Sequence, residues 1–96
     1  MPTTKTLTWT KSPDLDVAKY NIYRAVGSAP TKDAGHLYAS VPSSASTYVD
    51  TITADGDYFY AVSAVDTSNN ESALSNIKDV VVDITPPQPP SSLNVA

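Results

Sequence analysis

Tyr58-Phe59-Tyr60-Ala61-Val62-Ser63-Ala64-Val65 is the stretch on which the fold turns. It is aromatic and β-branched, with no glycine, proline or charge inside it, the composition of a pleated strand. A side-chain period of two puts Tyr58, Tyr60, Val62 and Ala64 on one face, and Phe59, Ala61, Ser63 and Val65 on the other. Turn chemistry bounds it on both sides: Ala54-Asp55-Gly56-Asp57 before and Ser68-Asn69-Asn70 after. Working outward, the same alternation recurs. Leu7 and Trp9 alternate with threonines over Thr6 to Thr10, until Ser12-Pro13-Asp14 breaks the pattern. Tyr20 to Arg24 is a second strand, closed by Gly27, Pro30 and Gly35, and Leu37 to Val41 a third, ended by Pro42 and serines. Thr47 to Val49 and Ile77 to Ile84 complete the set, and no stretch shows a helical stripe. Short strands at this spacing predict an all-β fold, an antiparallel β-sandwich.

A chain of 96 residues is one domain, long enough to bury a single core without a metal or disulfide. It has no cysteine, which removes disulfides, zinc-thiolate sites and cysteine nucleophiles. The net charge is −4 and the six basic residues are scattered, which argues against a nucleic-acid surface and against anionic membranes. No run approaches the length of a membrane-spanning helix, so no membrane insertion is expected. Met1 to Lys5 carry no apolar signal region; an export signal would lie outside this segment.

The other telling segment is Thr85-Pro86-Pro87-Gln88-Pro89-Pro90-Ser91-Ser92-Leu93-Asn94-Val95-Ala96. Four prolines in five positions favour a stiff, extended, polyproline-like spacer. Leu93-Asn94-Val95 then begins a fresh apolar alternation. The expected organisation is a module over 1–83, a proline-rich linker over 84–90, and over 91–96 the first strand of a following module or a displaced strand.

Taken together, these residues resemble the fibronectin type III module in its bacterial extracellular version, over about residues 6–83. Thr6-Leu7-Thr8-Trp9-Thr10 is similar to the family's strand B, whose tryptophan is a core anchor, and Asp16 to Arg24 to its strand C, with Tyr20 and Ile22 inward. Ile52 lies six residues before Tyr58, the spacing of the tyrosine corner, and Tyr60 to Asp66 with Asn70-Glu71-Ser72 is similar to strand F and the F–G turn. The family's proline-led strand A is missing or truncated before Thr6, while Pro89 to Ala96 looks like the strand A of a following copy. The resemblance implies a secreted or cell-surface protein with further domains in the same polypeptide.

Candidate chemistry is sparse. His36 is the single histidine, so no triad or two-histidine metal site can be built; a solvated turn residue is the expected role. Asp14/Asp16 and Asp55/Asp57 have a spacing reminiscent of glycosidase carboxylates, but both pairs fall in turns, where aspartate bonds its own backbone. Asp66 to Glu71 is oxygen-rich, yet it lacks the glycine and terminal acid of a calcium loop. Asn70-Glu71-Ser72 is formally a glycosylation acceptor. Trp9, Tyr20, Tyr58 and Tyr60 are assigned inward by alternation. Tyr23 and Phe59 fall on the opposite faces of their strands, as neighbours on one sheet's outer surface, and are the candidate contact residues for a sugar or polymer.

The residues predict a non-catalytic module with no cofactor and no catalytic residue, and the resemblance implies a seven-stranded, immunoglobulin-like antiparallel β-sandwich. Its termini leave from opposite ends, and the linker sets the distance to adjacent domains. Another copy is a candidate partner through strand exchange. The alternative is a weak carbohydrate- or protein-binding module using Tyr23 and Phe59 or the loops around Gly27 and Asn69.

Overall fold

The computed structural model describes residues 2–95, and within them every regular element is a strand. There are six: β1 (Thr3–Thr8), β2 (Val17–Val26), β3 (Leu37–Pro42), β4 (Thr47–Ile52), β5 (Gly56–Asp66) and β6 (Lys78–Val82). They form two antiparallel sheets, β1-β4 and β3-β2-β5-β6. The expected antiparallel, all-β arrangement in two sheets is present, with six strands where seven were expected.

Strand ends differ from the sequence reading for local reasons. β1 begins at Thr3 because Thr3 and Lys5, though not apolar in the usual sense, pair with Ile52 and Asp50 on β4. β4 continues past Val49 because Asp50, which reads as a strand end, is buried and neutralised by partners from the other sheet. Gly56 and Asp57, expected in a turn, open β5 opposite Val82 and Val81. A Cβ at Gly56 would sit 3.2 Å from Val26 Cγ1 and 3.3 Å from Tyr58 Cε1, so a side chain here would crowd both neighbours.

The two sheets enclose one core, in which Ile52 of the small sheet packs with Tyr58, Tyr60 and Val82 of the large one, flanked by Leu7, Val80 and Ile84. Ile22 is fully buried, at 0% exposure. Trp9, expected as the core anchor, is only half-buried: its ring lies 5.8 Å from that of Tyr20, and its buried indole N–H has no acceptor among the described residues. The reason is an asymmetry of the two long sides. On one side a short turn joins β3 to β4, and Tyr38 meets Tyr48 edge-on at 6.2 Å. On the other, β1 and β6 are not joined, and Trp9 looks into the gap.

Tyr58 closes the β4–β5 corner. Its hydroxyl donates to the carbonyl of Ala54, four residues upstream, at 2.7 Å, the geometry of a tyrosine corner. Tyr58→Phe removes only that bond, so a loss of about 1–2 kcal/mol with the fold intact is expected. A urea midpoint within error of wild type would show that the corner contributes nothing.

Register fixes where the chain enters and leaves. Thr3 pairs with Ile52, and Val82 with Gly56, so the start of β1 and the end of β6 share one pole with the β4–β5 turn. The expectation that the chain enters and leaves at opposite ends is thus corrected: β1 begins at the pole where β6 finishes. At that pole Asp55 Oδ1 accepts the N–H groups of Ile84 (2.7 Å) and Thr85 (3.1 Å), pinning the root of the tail. Beyond it residues 85–95 are exposed and unpaired, so 91–95 form no strand in the single chain; Ala96 lies outside the described residues. The molecule measures 74 × 22 × 17 Å. The eleven residues of β5 account for roughly 36 Å of the long axis, and the projecting tail supplies the rest.

Candidate functional site

Three places concentrate polar or aromatic groups, and only one of them is left unsatisfied by the fold. The first lies between the sheets. Asp50 is 1% exposed, and its carboxylate takes an ion pair from Arg24 Nη1 at 2.9 Å, a hydrogen bond from Tyr38 Oη at 2.5 Å, and another from the Tyr60 hydroxyl. The Arg24 guanidinium lies 3.9 Å from the centroid of the Tyr38 ring and 5.2 Å from that of Tyr58. Burial pushes the Asp50 carboxyl up, but the hydrogen bonds from Tyr38 and Tyr60 and the Arg24 charge outweigh it and hold the group below its ordinary value. Hydrogen bonding to Asp50 and burial push the Tyr38 phenol up to about 12. Both Asp50 oxygens have partners from the opposite sheet, which makes the cluster a clamp between sheets.

The second place is the outer face of the large sheet, where Tyr23 and Phe59 were expected as an exposed pair. Register puts them on the same face, Tyr23 opposite Ala61 and Phe59 opposite Ala25. Tyr23, however, is 3% exposed, and its hydroxyl donates to Glu71. The same Glu71 Oε2 accepts Asn21 Nδ2 at 3.2 Å and Ser63 Oγ at 2.5 Å. Ser40 Oγ donates to Asn21 Oδ1 at 2.7 Å, and Lys32, from the β2–β3 loop, donates to Ser72 O at 2.9 Å. That loop and Glu71 therefore cover the aromatic ring, and the two-residue stacking patch does not exist as a free surface. Phe59, half-buried, is flanked in register by Asp79. Alternation shows which face a side chain takes; it carries no information about a loop folding back over that face.

The expected turn carboxylates behave as structural ligands. Asp66 Oδ1 accepts Ser68 N–H and Asn70 N–H at 2.9 and 2.8 Å, which holds its carboxyl below the ordinary range and fixes the turn with Asn69 at φ 67°. Asp55 does not bond its own turn, as expected, but the tail root. Asp57 turns toward Asp79; burial and that neighbour raise its carboxyl. Asp14 and Asp16 meet Asp66 and Glu71 around a shallow cavity of about 320 Å³, where the last two carboxylates are already hydrogen-bonded. His36 is half-buried, its Nδ1 accepting the Thr31 N–H at 2.9 Å. Among the described residues no three histidine, aspartate or glutamate side chains gather as metal ligands, and no helix is long and apolar enough to cross a membrane.

The third place is the gap between the sheets' free sides. A groove of about 680 Å³ runs there, lined among others by Leu7, Trp9, Val62, Lys78 and Val80. Nothing in the sequence pattern alone marks it. No family model, curated protein or solved structure matches the chain.

Proposed function

We propose that the chain is a non-catalytic spacer module of fibronectin type III type in a multi-domain extracellular protein, holding its neighbours at a fixed separation. The observation that carries this reading is the tail. It leaves the pole from a root fixed by Asp55 and continues the long axis to 74 Å. The strand order β1-β4 and β3-β2-β5-β6, the tyrosine corner at Tyr58 and the sequence resemblance support the fold-type assignment. The burial of Tyr23 and the full engagement of Asp50, Asp66 and Glu71 weigh against a ligand face.

A spacer must be stiff. Ten tail residues in polyproline form span roughly 31 Å, against a root-mean-square length of roughly 18 Å for a glycine-rich chain. Small-angle scattering on the full chain should give a maximum dimension near 74 Å, and replacing Pro86, Pro87, Pro89 and Pro90 by glycine should shorten it by roughly 10 Å. An unchanged dimension would sink the spacer reading. Titration with soluble polysaccharides should leave the amide resonances unmoved, and saturable shifts around Phe59 would favour the binding alternative.

A further inference from the structure

Strand β1 has a single partner, β4, among the described residues, and its far edge borders the open groove. In an antiparallel pair alternate residues turn both backbone groups to the partner, and the intervening ones turn them away. The Trp9 N–H reaches Ser46 O at 3.0 Å and continues the β1–β4 register, so the odd-numbered residues bond to β4. Thr4, Thr6 and Thr8 therefore present their N–H and C=O groups to the groove. Such an edge is a template for a further strand.

We infer that this edge is a strand-acceptor site, and that its occupant is the tail of a second copy, with Ser91 to Val95 lying antiparallel to β1. This goes beyond the spacer reading and does not depend on it. The tail has the required pattern: Leu93 and Val95 lie two apart and are each 91% exposed. From Ile84 to Ala96 the sequence carries no charged side chain, so the donor's side chains bring no charge against Lys5, Lys78 and Asp79 in the groove. Seated there, the two apolar side chains would cover Leu7, Trp9 and Val80 from the open side.

Geometry excludes the chain's own tail from this pairing. An antiparallel strand must enter beside Thr8 and run toward Thr3, whereas the tail is rooted at the pole of Thr3. It would have to travel about 17 Å down the edge of β1 and then double back beside itself. The proline segment instead points away from the domain and presents Leu93 and Val95 to a neighbour.

Light scattering on the full chain across a wide concentration series tests this. The weight-average mass should rise roughly twofold or more with concentration, while a Leu93→Asp/Val95→Asp double variant stays at the monomer mass. The variant keeps its fold because both residues lie outside the core. Trp9, the single tryptophan, lines the groove, so its emission should move to shorter wavelength as the wild type associates and stay fixed in the variant. Hydrogen exchange at Thr4, Thr6 and Thr8 should slow in step with the mass. A wild type that remains monomeric, association that survives the double variant, or protection of those amides already present in the monomer would each overturn the proposal. The scattering test of the spacer is read on the Leu93→Asp/Val95→Asp chain, which stays monomeric, so the two readings fail separately.

Discussion

Asp50→Ala is expected to remove a large share of the stability of this protein. The substitution leaves the Arg24 guanidinium and the hydroxyls of Tyr38 and Tyr60 facing an empty site between the sheets. Breaking a buried ion pair by deleting one member costs about 3–5 kcal/mol, because the surviving charge stays desolvated. A domain of this length has a total of about 5–15 kcal/mol, and the loss is largest in proportion toward the lower end. The pH profile gives an independent check. The Asp50 carboxyl titrates below its unfolded value, so its contribution is present above a pH of about 3.9 and is lost as the pH falls through the folded value. The Tyr38 phenol is raised to about 12, so its contribution is present below a pH of about 10 and is lost as the pH rises through the folded value. Wild-type urea midpoints should fall at both extremes, and the variant's profile should be flatter at both. A variant within about 1 kcal/mol of wild type would mean that the clamp contributes little.

Ile22→Ala is expected to have the next largest effect, about 2–5 kcal/mol. Ile22 sits mid-strand in β2, opposite Val62 on one side and Ala39 on the other, and no atom of it reaches solvent. β2 and β5 are the two central strands, each already hydrogen-bonded on both edges, so a cavity there cannot collapse by strand movement. Ile22→Val should cost about 0.5–1.5 kcal/mol and serve as the graded control. Equal midpoints for alanine and valine would place the packing centre elsewhere, around Ile52.

The contrast between Ile22 and Trp9 shows what alternation can and cannot give. Six stretches of period-two pattern lead to six strands, since burying one face of a pleated sheet imposes that period on sequence. It gave Tyr20, Ile22, Tyr58 and Tyr60 their inward faces, and the spacing from Ile52 gave Tyr58 its corner. Coverage was illegible. Trp9 faces inward on a side where nothing closes over it, and Tyr23 faces outward under a loop that returns across the sheet. Asp50 was missed because a carboxylate between Val49 and Thr51 reads as the end of a strand; only the opposite sheet supplies the arginine and phenols that make its burial tolerable. Asp79 and Glu71 likewise acquire their roles from partners distant in sequence.

The position of the tail root has a consequence for symmetry. A donor strand that runs from the Thr8 end of its acceptor toward the Thr3 end brings the acceptor's far pole down onto the donor's near one. Each copy then repeats the orientation of the one before it, and the operator relating them is a translation with a twist, which never closes. Reciprocal exchange between two copies would require parallel pairing, and every ladder in this fold is antiparallel. Association through this edge would therefore be polar, head-to-tail growth with no dimer plateau. The Leu93→Asp/Val95→Asp chain, able to accept a tail and unable to donate one, becomes a terminator whose mole fraction sets the mean filament length.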